Sequence, residues 1–168
     1  MLIPQPALAL ITAVVLAAPG CNQPSPTSAT PPDASTVNPV QQTVTHLITA
    51  PTSGFMEGEE LVIRSDAELT AAWKNVHAGI PGNPAPAIDL AHNMVVLLAL
   101  GQRRTGGYTV RFDNITRDGT GAVVHYTVTS PGPGCMTTQM ITSPIDVVSV
   151  PSVAGAVRFE RSEVTDRC

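Results

Sequence analysis

Residues 93–100 read Asn-Met-Val-Val-Leu-Leu-Ala-Leu, and this run limits the choice of fold more than any other part of the chain. A continuous apolar stretch of strand length predicts a central strand covered on both faces. The segments around it alternate instead. Tyr108, Val110 and Phe112 stand against Thr109, Arg111 and Asp113, which predicts a half-buried strand over residues 108–115. Residues 117–121, Arg-Asp-Gly-Thr-Gly, form a hairpin turn, and Val124, Tyr126 and Val128 continue the alternation in a return strand over 123–129. Further strands are expected at 42–50, 60–64, 146–150 and 157–163. One helix interrupts them. Ser65 and Glu68 have the spacing of a capping box, Leu69, Ala72, Trp73 and Val76 recur on one face, and Gly79 suits the C-terminal stop. Trp73 on that face reads as core. The fold class that results is mainly β, of the α+β type: an antiparallel β-sheet or sandwich with one amphipathic helix, about 66–78, packed against it.

The N-terminal region has a different character. An apolar run over residues 7–18 is followed by Pro19, Gly20 and Cys21. The run has the length of a signal-peptide core and is too short to span a bilayer as a helix. Ala18 and Gly20 give the small-x-small pattern that precedes a cleavage site, so processing would leave Cys21 at the mature N-terminus. The arrangement resembles the lipobox of bacterial lipoproteins, although Ala18 stands where Leu is usual. The resemblance implies a lipoprotein-type signal peptide at 1–20, lipid on Cys21, and a protein held at the membrane of the cell envelope. Plain export to the periplasm or medium is the alternative. Residues 21–41 are dominated by Pro, Ser and Thr with Asp33 as the only charge, which predicts a disordered tether. Residues 42–168 then make a single globular domain.

The chain has three cysteines, Cys21, Cys135 and Cys168. With lipid on the first, the other two form an even pair, and an oxidising compartment favours a Cys135–Cys168 disulfide. Two free thiols are the alternative. Charged residues make up 13 % of the chain, about half the usual share, and the only adjacent basic pair is Arg103-Arg104. Nucleic-acid binding therefore has little electrostatic support. The four histidines, His46, His77, His92 and His125, lack ligand spacing, and nothing in the sequence asks for a metal or another cofactor. No nucleophile elbow, phosphate loop or dinucleotide fingerprint is present. Asp113, Asp118 and Asp146 read as turn and surface carboxylates.

Two stretches remain. Residues 100–110 read Leu-Gly-Gln-Arg-Arg-Thr-Gly-Gly-Tyr-Thr-Val, and residues 131–151 run from a Pro-Gly-Pro-Gly turn through Thr138-Gln139 and Pro144 to an apolar strand ending at Val150-Pro151. The ordered set is an apolar strand ending in Gly101, Thr105-Gly106-Gly107-Tyr108, an alternating hairpin, a Pro-rich turn, Thr-Gln, then Pro and an apolar strand. It resembles the C-terminal domain of the protease complex subunit PrcB family over about 94–151. Cys135 and Cys168 fit a subset of that family. The resemblance implies an exported, non-catalytic accessory domain that docks or stabilises a protein partner, an exported protease among the candidates, and it brings no active-site residues with it. The binding candidates are Arg103, Arg104, Thr105, Gly106, Gly107, Tyr108 and Gln139. The Thr-Gly-Gly-Tyr loop is also similar to a loop of chagasin-like protease inhibitors. A structural envelope lipoprotein and a small hydrolase are the other readings.

Overall fold

The computed structural model describes residues 43–78 and 82–168. The expected signal peptide and tether, Cys21 and Gly79 lie outside the described residues. The elements are β1 (Thr45–Ala50), β2 (Glu59–Ile63), α1 (Asp66–Val76), β3 (Asn93–Ala99), β4 (Thr109–Asp118), β5 (Gly121–Ser130), β6 (Ile145–Pro151) and β7 (Val157–Thr165). They form two sheets, one of four strands in the order β1-β6-β3-β2 and one of three in the order β4-β5-β7.

β3 lies inside the four-stranded sheet, antiparallel to both β2 and β6. Its pleat divides the apolar run between two cores. Met94, Val96 and Leu98 face the second sheet and pack with Val110, Phe112, Val124, Tyr126 and Val128. Val95, Leu97 and Ala99 face the helix and pack with Leu69, Trp73 and Val76. β6 divides in the same way, with Val148 and Val150 on the first side and Ile145 and Val147 on the second. A strand that serves two cores has no solvent-facing side, which is why β3 reads as a continuous apolar run and why even Asp146 and Ser149 of β6 are buried.

The helix begins as its sequence predicts. The Glu68 amide donates to Ser65 Oγ at 3.3 Å, and the Ser65 amide donates to the Glu68 carboxylate at 3.1 Å. A second amide, that of Arg64, donates to the same carboxylate, and these hydrogen bonds hold its pKa below the usual value. Trp73 is buried in the helix-side core, as expected. His77 is the C-cap, and Ala78 takes a positive φ of 52° just beyond it.

The three-stranded sheet contains one pairing that the alternating pattern did not foretell. β5 is antiparallel to β4 but parallel to β7, with Ala122 opposite Val157 and Ser130 opposite Thr165. The chain leaves β6 in the other sheet and crosses over residues 152–156. The Gly155 amide bonds to the Thr120 carbonyl and the Ala122 amide to the Ala156 carbonyl. That crossing delivers β7 beside the start of β5, so the two strands run in the same direction.

Asp146 requires a correction to the sequence reading. It is 1 % exposed, near the start of β6, and is not a surface carboxylate. Its Oδ2 accepts the Phe112 amide at 2.7 Å, its Oδ1 accepts the Thr49 hydroxyl at 2.6 Å, and His46 Nδ1 lies 3.5 Å from Oδ1. β4 is an edge strand, so the outward amide of Phe112 has no neighbouring strand to bond. Asp146 supplies the acceptor and joins the two sheets there. Asp113 and Asp118 are exposed, as expected.

Candidate functional site

Two loops carry the chain from one sheet to the other at the same end of the molecule. Residues 100–108 lead from β3 to β4, and residues 131–144 lead from β5 to β6. The register places them together, because Ala99 is opposite Ile145 and Thr109 is opposite Thr129. Most of the binding candidates from the sequence lie in the first loop, and Gln139 lies in the second.

The two loops are laced along their length. Arg103 and Thr142 exchange backbone hydrogen bonds of 2.8 and 3.0 Å. The Thr142 hydroxyl donates to the Thr105 carbonyl at 2.9 Å, and the Gly106 amide donates to the Thr138 carbonyl at 2.9 Å. The first loop is also tied back to the segment before β2, since the Gln102 amide donates to the Met56 carbonyl at 3.0 Å. Gly101 makes this approach possible: its φ is +73°, and a Cβ there would lie 2.6 Å from the Glu57 carbonyl carbon. Gly107, at φ +88°, sits against Pro131 and Thr137.

This packing sorts the predicted residues. Arg104, Gly107 and Gln139 are exposed, Arg103, Thr105 and Tyr108 are half-buried, and Gly106 is buried under Thr138. The sequence reading paired Arg103 with Arg104 as binding candidates, and of the two only Arg104 is fully exposed. Arg103 is held in the loop-to-loop bridge, and its guanidinium lies 5.7 Å from the centroid of the Tyr108 ring, within cation–π range.

Three residues absent from the candidate set stand out on the second loop. Met136, Met140 and Ile141 are all exposed, Met136 completely. They lie within six consecutive residues of a loop fixed to its neighbour, so the apolar side chains are presented and not folded inward. The only sequence signal was apolar residues in a stretch with neither strand nor helix periodicity. Such a stretch has no core face to hide them.

The second loop is anchored a further time. Cys135 and Cys168 form a disulfide, with Cα atoms 5.3 Å apart and a sequence separation of 33. The Asp166 amide also donates to the Ser130 carbonyl at 2.9 Å. The segment after β7 is thereby fastened to the turn that opens the loop.

Beside the first loop, a cleft of about 400 Å³ opens between the β2 edge of one sheet and β5 and β7 of the other. Arg103 and Arg161 line it, and so does Tyr126, whose hydroxyl donates to the Glu60 carboxylate. Burial, reinforced by the hydrogen bond and negative charge of Glu60, pushes the Tyr126 phenol up to about 12. Tyr126 is therefore a neutral donor over the working range of pH.

No curated protein and no solved structure matches the chain. A family model described as PrcB C-terminal matches residues 94–151, less than half of the chain. The match begins in β3 and ends with β6, so it includes both site loops, the β4–β5 hairpin between them, and Asp146. Residues 94–151 are thus similar to the PrcB C-terminal family, and they lie in a two-sheet domain to which β1, β2, α1 and β7 are contributed from outside the matched stretch.

Proposed function

We propose that this chain is an exported, non-catalytic accessory protein, tethered to a membrane through lipid on Cys21, whose laced loops dock a protein partner, an exported protease. The observation that carries this reading is the exposure of Met136, Met140 and Ile141 on a loop pinned by its neighbour and by a disulfide. Exposed apolar side chains gathered in one place favour association, and Met in particular adapts to an irregular partner surface. The exposed Arg104 beside them adds a planar cation of the kind enriched at interface hot spots. The partner surface that fits is apolar with a carboxylate at its rim. The family description supports a partner within a protease complex. A loop that plugs a protease cleft must project, whereas Gly106 is buried under Thr138, so docking fits the loop better than inhibition does.

Co-purification of the full chain from its native envelope with exported proteases tests the proposal. Met136→Asp combined with Met140→Asp should leave the melting temperature unchanged and reduce partner recovery by about tenfold or more, as loss of a hot spot does. Arg104→Ala should reduce it by less. Equal recovery with wild type and the double variant would move the interface elsewhere. Turnover of peptide or ester substrates by the purified protein would favour the hydrolase reading. The tether has its own test, since membrane-extracted protein should carry a diacylglycerol-type mass on an N-terminal Cys21, and an unmodified soluble N-terminus would overturn it.

A further inference from the structure

The cleft between the sheets has a lining that the docking loops do not explain. Alternation along β2 first decides which of its two acidic residues faces inward. Leu61 and Ile63 belong to the helix-side core, so Glu59 shares their face, while Glu60 and Val62 face the second sheet. Glu60 points into the cleft, where the Tyr126 hydroxyl donates to it, and Glu59 also lines the cleft. Opposite are two guanidiniums with spare donors. Arg161 uses one nitrogen on Glu163 at 2.8 Å, and Arg103 uses one on the neighbouring Gln102 carbonyl at 3.1 Å. Each guanidinium has five N–H donors, so both retain donors for another acceptor. The lining balances two carboxylates, Glu59 and Glu60, against the two guanidiniums; Glu60 is engaged by Tyr126, the free donors lie on the arginines, and Leu98 and Val110 provide an apolar wall. The volume of about 400 Å³ falls within the range of small-ligand sites.

The geometry points to a binding site for a carboxylate carried on an apolar group, with Arg103 and Arg161 holding the carboxylate and the wall of Leu98 and Val110 taking the apolar part. Guanidinium and carboxylate match in shape, and two such cations from different sheets fix the anion's position as well as its charge. Arg103 comes from the loop after β3 and Arg161 from β7, so a bound carboxylate would bridge the two sheets at the end where the loops cross. The same chemistry is presented by the C-terminus of a polypeptide and by a small organic acid. The site is independent of partner docking at Met136 and Met140.

Calorimetric titration of the full chain with three probes tests this: hexanoate, N-acetyl-Ala-Ala-Leu with a free C-terminus, and the same tripeptide as its amide. Both carboxylates should bind saturably, and the amide should bind about tenfold more weakly or worse, because it cannot make the charge-assisted pairs. Tighter binding of the tripeptide acid than of hexanoate identifies a chain terminus as the source, and the reverse order identifies a small acid. Arg103→Gln and Arg161→Gln should each weaken both acids by about fivefold or more while leaving the amide unchanged. If Arg161→Gln also lowers the melting temperature, Arg161→Lys supplies the second reading, with acid binding between that of wild type and Gln because the charge remains and the planar fork is lost. Equal affinity for acid and amide, no saturable heat with either acid, or acid binding indifferent to both substitutions would overturn the assignment.

Discussion

The four-stranded and three-stranded sheets are built from similar residues but covered to different extents. The first lies between the helix and the second sheet, and β3 and β6 are buried almost throughout. The second has one covered face, and its edge strand β7 is exposed over most of its length. The contrast shows where this domain concentrates stability and where it leaves surface for binding. The doubly covered sheet serves as the platform. The two loops that cross to the singly covered sheet carry the exposed Met136, Met140 and Ile141, and the cleft draws Arg161 from its edge strand. Loops held on a rigid platform are the usual location for binding residues.

The sharpest way to break the contrast is at Asp146, where the platform bonds the edge of the second sheet. Asp146→Ala would leave the buried Phe112 amide and the Thr49 hydroxyl without their acceptor, and the expected loss is about 3 kcal/mol. Asp113→Ala, which removes only an exposed bond from the Thr127 hydroxyl, should cost less than about 1 kcal/mol. Chemical denaturation of both variants checks this, and equal losses would mean that Asp146 does not join the sheets.

The disulfide comes next. Cys168→Ser should lower stability by about 2–4 kcal/mol, the chain-entropy value for a loop of this size. Hydrogen exchange should show β7 losing protection before β3 does, since the bond fastens the end of the exposed edge strand. Uniform loss across both sheets would show that the two respond as one unit.

A smaller effect is expected within the laced loops. Gly107→Val forces a β-branched side chain into φ +88°, at about 1–3 kcal/mol. Gly106 is constrained differently, since a Cβ there would fall 2.3 Å from Thr138 Oγ1 and not in a forbidden backbone region. Gly106→Ala should therefore be partly rescued by Thr138→Ala, and Gly107→Val should not. Thermal melts of the single and double variants separate the two cases, and rescue of both would assign both glycines to steric fit.

The mildest test is alkaline pH. Tyr126 keeps its proton up to about 12 in the folded protein, against 10.0 for an unperturbed phenol. The folded state thus binds more protons between those values. Its contribution is complete below pH 10 and is lost as pH rises through about 12. Melting temperature should fall across that window, and Tyr126→Phe should flatten the decline. An unchanged slope in the variant would assign the alkaline loss to other groups.

How much of this was legible in the sequence follows from which interactions are local. The capping box at Ser65 and Glu68, the hairpin between β4 and β5, and the buried strand at β3 were readable, because each depends on neighbours within a few residues or on one repeating pattern. The pairing of Cys135 with Cys168 was readable from the parity of the cysteines on the expectation of an exported chain with lipid on Cys21. Asp146 was misread because an aspartate in a strand shows nothing of its burial. Its partners Thr49 and Phe112 are far away in the chain; the β1–β6 pairing supplies the first and the meeting of the two sheets supplies the second. The split of Arg103 from Arg104 escaped for the same reason, since one is bridged to Thr142 across the fold and the other is not.

The sequence was enough to specify a mainly β fold with a capped helix at Asp66–Val76, because hydrophobic period and capping chemistry act over short distances. It also determined that residues 94–151 carry the PrcB C-terminal pattern. Long-range packing sets the division of the strands into two sheets, the parallel run of β7 beside β5, and the lacing of the loops after β3 and β5. The same holds for the cleft shared by Arg103, Tyr126 and Arg161, whose residues come from three separate segments. The physical reason is that period and capping fix which residues must be buried or bonded. The choice of partner among distant segments is made by packing two apolar sheet faces together, and no local pattern encodes it.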